Sequence, residues 1–250
     1  MESKNPFFNN KTYNNTEKVH DAVLIDYNQT MTINGTMNKA FIMLILLVAG
    51  AVTTWSLIGS GFNPIFLILG GAIVGLIAVL VSTFKPELSP YLAPGYAIFE
   101  GLFIGGLSSF FEARFPGIVI QAVGATFVTF FICLALYRFQ VVKVTDKFRS
   151  IVVAATLAIA AYYLISWLLS LFLNFQPVHH GNSLMSIGIS VFVIVIAALN
   201  IFLDFDQIER GAANRAPKYM EWYGAMGLMI TLVWLYVEFL RLLSKLNSRD

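Results

Sequence analysis

Three acids interrupt long apolar stretches of this 250-residue chain: Glu100, Asp204 and Glu238. Around the second of them Asn200, Asp204 and Gln207 recur at spacings of four and three, which a helix would gather on one face. A carboxylate near the centre of a bilayer costs about 2.5–3.5 kcal/mol on insertion scales. A chain that keeps Asp204 there is either ending its span or using the acid, and Glu238 in the next apolar run favours use. Two carboxylates at low dielectric can share a proton when neutralised, or offer oxygens to a hard cation such as calcium when ionised. Glu100 stands next to Gly101 and reads first as a group that packs one helix on another.

Other chemistries are poorly supported. His179 and His180 are adjacent in a loop, so no helical face unites them. There is no His-Glu-x-x-His, no Gly-x-Ser-x-Gly and no glycine-rich phosphate loop before a lysine and hydroxyl residue. The single cysteine, Cys133, excludes a disulfide framework and a cysteine-based metal site. A net charge of +2 without a basic, aromatic-laced stripe gives no footprint for nucleic acid. The sequence points away from an enzyme and implies no catalytic cofactor.

The elements that must hold these acids are transmembrane helices. Apolar residues make up 58% of the chain and charged residues 12%, against about 45–50% and 25% in soluble domains. After a polar, Asn/Thr-rich arm over residues 1–36, seven apolar runs follow. They cover about 37–58, 65–84, 91–111, 117–137, 151–172, 184 to the Asp204 region, and 223–243. Each approaches the roughly 20 residues that cross 30 Å of hydrocarbon. Gly71/Gly75 and Gly101/Gly105 have the spacing that lets helices approach closely in lipid. The expected fold is an all-α polytopic membrane protein with seven membrane-embedded helices.

Basic residues set an expected orientation. The Arg138–Arg149 loop and the Arg210–Lys218 loop are rich in Lys and Arg, whereas Asn174–Ser183 has neither. The first two should therefore face the cytoplasm together with the N-terminus. Counting forward puts the C-terminus outside, yet it carries Arg241, Lys245 and Arg249. Either the seventh segment re-enters the membrane or the charge rule is weak there.

Asp204-Phe-Asp-Gln-Ile208 after one span, followed by Leu235-Tyr-Val-Glu-Phe239 in the last, resembles the Bax inhibitor (transmembrane Bax-inhibitor-motif) family. Gly95-Tyr-Ala-Ile-Phe-Glu-Gly101 and Gly124-Ala-Thr-Phe-Val-Thr-Phe130 are similar to it as well, and the polar arm looks like a bacterial branch. The resemblance implies a central last helix wrapped by six others and a pH-sensitive calcium leak. It also implies that Asp204 faces a second acid whose shared proton controls the pore. Glu238 matches that acid through Leu-Tyr-x-acid, with Glu in place of the usual Asp. A shift of register would put Thr231 or Leu235 opposite Asp204 instead. Relatives carry a basic residue at the end of the second span that pairs with the acids, and Lys85 is the candidate here.

The expected function is a calcium or cation leak of the bacterial inner membrane, gated by Asp204 and Glu238. Asp206 would be an accessory acid at the cytoplasmic mouth, with Gln207, Asn200, Glu100 and Lys85 as accessory groups. Calcium or protons would be the passing ions, and any calcium at Asp204 and Glu238 would be transient. The rival readings are a regulator that binds a membrane protease or another membrane-protein partner, and a proton-coupled exporter.

Overall fold

The computed structural model describes residues 30–61, 63, 65–173, 181 and 183–248. The expectations for the polar arm over residues 1–29 and for His179-His180 lie outside the described residues. The helical body belongs to the unit that begins at Met31. Its long helices are α1 (Ile33–Gly59), α2 (Ile65–Phe84), α3 (Ser89–Arg114), α4 (Ile118–Arg138), α5 (Asp146–Leu173), α6 (Leu184–Ala213) and α7 (Met220–Asn247), with one 3₁₀ turn, Pro86–Leu88, before α3.

All but one of the seven are long and apolar enough to cross a membrane. The exception is α3, whose sequence includes Glu100, Glu112 and Pro94. Most helices run past their apolar stretches, because polar first and last turns continue the backbone ladder beyond the hydrocarbon. α1 starts at Ile33 rather than Met37, where the Thr32 side chain accepts from the Gly35 amide at 3.0 Å. α4 starts after Gly117, whose φ of 85° suits glycine. The Glu112 carboxylate accepts from the amides of Gly117 (2.6 Å) and Val119 (3.0 Å) and satisfies that helix start.

Small residues determine how α3 packs. A Cβ on Gly101 would come within 2.9 Å of the Leu47 carbonyl carbon, and one on Gly105 within 2.7 Å of the Ala51 Cα. Both contacts advance by four residues along α1 and α3, so these helices run parallel with backbones touching. On its other side α3 lies antiparallel to α2, where Gly71 meets Phe99 and Phe103 and Gly75 meets Tyr96 and Glu100. The glycine spacings read in the sequence are therefore packing seams.

α7 is the most buried of the candidate spans and packs against α1, α3, α4 and α6. It is continuous from Met220 to Asn247, about 42 Å at 1.5 Å per residue, which exceeds a 30 Å hydrocarbon layer. α5 packs on α6, and α2 on α3, at the periphery.

Candidate functional site

One end of the bundle gathers most of the charge. The start of α7 is bound to the start of α1: Glu221, fully buried, accepts from the Thr32 amide (2.9 Å) and hydroxyl (2.8 Å). It also pairs with Lys39 and, at 3.0 Å, with Lys218. The end of α6 is tied to α4 and α5, through Tyr137 to Glu209 and Arg149 to Asp206, with Arg210 on Asp206 at 2.8 Å. Both basic loops and the start of α1 thus share one end, as the sequence led one to expect. Asp206 is held between two guanidinium groups there and ties helices together.

Asp204 lies on α6 two residues before Asp206, about 3 Å further from that end along the helix. It lines a cavity of about 120 Å³ with Ser82 and Thr83 from the last turn of α2, Gln207, and Tyr223, Gly224 and Gly227 of α7. A volume of this size has room for water, whose share of liquid volume is about 30 Å³. Asp204 Oδ2 is buried without a hydrogen-bond partner. Oδ1 is 3.8 Å from where a Cβ on Gly227 would stand, which sets the acid directly against that stretch of α7. Thr231, one turn beyond Gly227 on α7, donates its hydroxyl to the Gly227 carbonyl at 3.3 Å on the same side of the helix.

Glu238 lies seven residues beyond Thr231 on α7, about 10 Å further from the charged end. It is 1% exposed. Oε1 accepts from the Tyr163 hydroxyl of α5 at 3.2 Å and from Arg241 at 3.0 Å, while Oε2 is buried and unpartnered. Two turns on, Lys245 is also buried, with its ammonium donating to the Ser186 carbonyl (3.2 Å) and the Ser190 hydroxyl (2.7 Å) of α6. The structure therefore does not bring Asp204 and Glu238 together. Its register is the alternative that puts Thr231 beside Asp204. Between the two levels α7 carries Leu235, fully buried in an apolar cluster with Ile201, Phe202 and Leu228.

The remaining candidates scatter. Gln207 lines the cavity of Asp204. Asn200 instead donates to the Thr156 hydroxyl of α5 (2.8 Å) and to the Ile196 carbonyl (2.8 Å). Glu100 lies over Gly75 between α2 and α3 and does not line that cavity. Lys85 is exposed and enters no ion pair among the described residues. The cation that meets a membrane acid is Arg241, from the same helix as Glu238.

Sequence reasoning passed over Glu221 and the inward role of Lys245. For Glu221 the available signal was Lys39 inside the first apolar run, a cation needing a partner. For Lys245 it was the excess of C-terminal cations. Arg241 and Lys245 are bound inward on a helix and are not loop charges, so they fall outside the rule that retains loop cations in the cytoplasm.

Among the described residues no three His, Cys, Asp or Glu side chains converge on a common point. A cation at Asp204 would complete its shell with Ser82, Thr83 or Gln207 oxygens and water, an all-oxygen set suited to calcium. The family model described as Bax inhibitor 1 like matches residues 5–248. No curated protein matches the sequence.

Proposed function

Because the chain belongs to the Bax inhibitor 1 like family, we propose that this multi-pass membrane protein is a pH-sensitive leak for calcium or a similar cation in the bacterial inner membrane. The end bearing Arg138–Arg149 and Arg210–Lys218 faces the cytoplasm in this reading, since Lys and Arg are retained on that side.

The observation that carries the proposal is Asp204: a buried carboxylate oxygen without a donor, in a cavity that Ser82, Thr83, Gln207 and Tyr223 also line. An intramembrane acid beside water is the expected signature of an ion or proton route. When Asp204 holds a proton the cavity has no charge to attract a cation, and when it loses the proton the cavity becomes a cation site. Flux thus rises with pH. The apolar level around Leu235 closes the route at rest, and Glu238 beyond it is occupied by Arg241 in place of a passing cation. The two acids act in series, at different depths, and do not share one proton.

The test is calcium entry into dye-loaded liposomes across a pH series. Flux should rise with pH in the unaltered protein, and Asp204→Asn should flatten the response because an amide cannot ionise in this range. Glu238→Gln should change the size of the flux and leave its pH response in place. Silent liposomes would favour the partner-binding regulator. Uphill transport on supplying a proton gradient would favour the exporter. A pH response that survives Asp204→Asn would remove Asp204 as the sensor.

A further inference from the structure

We propose that a lateral groove on the opposite half of the bundle binds one acyl chain of a phospholipid from the leaflet away from the charged end. The groove has a volume of about 300 Å³, at the lower end of the 300–1,000 Å³ typical of clefts that take organic ligands. Its banks are α1 and α4, which share no packed interface, and its floor is α3 and α7. Along α1 it runs from Leu44 to Trp55, roughly 16 Å at 1.5 Å per residue. That is close to half of a hydrocarbon layer about 30 Å thick, or one leaflet.

The chemistry of the lining selects hydrocarbon. Val48, Val52, Val119, Val123 and Val233 contribute apolar walls. The hydroxyls present are engaged: Ser108 and Tyr236 bond each other at 2.7 Å, and Thr126 donates to the Ala122 carbonyl at 2.7 Å. Water needs two to four polar partners, and this lining has too few free ones in one place to favour it over hydrocarbon. Because a void forfeits dispersion contacts along its walls and these banks open sideways to lipid, an acyl chain is the occupant at hand.

The open end suits the rest of that lipid. Trp55 and Val119 mark the groove near the last turns of α1 and the first turn of α4. An indole at that depth sits well where chains meet headgroups. Arg114 closes α3 at the same end, stacked over Phe115, and makes no ion pair among the described residues. Its guanidinium is available to a lipid phosphate. The groove lies on the half of α7 around Met229 to Tyr236 and includes neither Asp204 nor Glu238.

The experiment is native mass spectrometry of the full chain ejected from nanodiscs of defined phospholipid. The unaltered protein should retain one phospholipid. Val48→Trp and Val123→Trp, which fill the groove from its two banks, should each lower that retention about tenfold. Val128→Trp, on a lipid-exposed side of α4 outside the groove, should keep it. Equal retention in all four proteins, a bare protein, a bound free fatty acid, or a second copy of the chain in place of lipid would each overturn the proposal. Should a filled variant fail to fold, the unaltered protein decides, because retention of a single phospholipid through a detergent wash is required of it.

Discussion

Gly35 on α1 has no space for a side chain, because the Glu221 carboxylate of α7 fills the volume that a Cβ would need. The contact joins residues far apart in sequence and places a buried charge against a helix start, with Lys39, Lys218 and Thr32 completing its shell. Gly35→Ala should destabilise the protein by about 1–3 kcal/mol, as overfilled packing does. Glu221→Ala should cost about 3–5 kcal/mol, since it strands a mostly buried Lys39. Adding Lys39→Met to Glu221→Ala should recover part of that loss. Unfolding in detergent, followed by circular dichroism, measures all three.

The parallel seam between α1 and α3 makes a second prediction. At Gly105 an added methyl would collide with Ala51 backbone, whereas Gly124 on α4 has nothing within 4 Å of its missing Cβ. Gly105→Val should prevent assembly of a monodisperse protein. Gly124→Ala should be tolerated and stabilise by about 0.5–1 kcal/mol, the ordinary gain over glycine inside a helix. Yield and size-exclusion profiles separate the two.

Asp204 and Glu238 belong to different polar clusters, with Leu235 between them. Their neutralising substitutions should therefore be additive in unfolding free energy to within about 0.3–0.5 kcal/mol. A carboxylate pair sharing a proton would instead give a coupling of about 0.5–3 kcal/mol. The double-mutant cycle Asp204→Asn with Glu238→Gln distinguishes these outcomes without any flux measurement.

Arg241 covers Glu238 with its guanidinium and stacks over the Tyr163 ring. Arg241→Gln should weaken the fold by about 1–3 kcal/mol, the usual range when a buried acceptor loses its donor. Under the leak reading it should also raise resting flux at every pH, because a carboxylate freed from its internal cation can receive a passing one. Liposomes carrying the variant at matched protein density provide the comparison.

The helices were legible because a lipid-crossing segment must be apolar over most of its length, and six of the seven runs mark helices that are long and apolar enough to cross, α3 being the exception. Their ends were less legible: α5 begins at Asp146 and α6 runs to Ala213, since polar turns outside the hydrocarbon leave no apolar signature. Asp204 and Glu238 stood out for the cost of placing acids in lipid. Their mutual register did not, because the turn between α6 and α7 can set either Thr231 or Glu238 opposite Asp204 without changing a residue pattern. The link from Glu221 to Lys39 was equally hidden, since nothing local to Met220–Tyr223 reports a partner on the first helix.

The most buried of the candidate spans, α7, is also made after the other six. Until α7 emerges, Lys39 has no Glu221, Tyr163 has no Glu238, and the Ser186 carbonyl and Ser190 hydroxyl have no Lys245. Synthesis from the N-terminus therefore leaves an unfinished ring of helices around a gap, lined by the hydroxyls and cations waiting for the last one. The acids and cations of α7 need not find their place in lipid, because the groups that pair with them are already in position. The order of manufacture thus turns the costliest segment to insert into the one that locks the assembly.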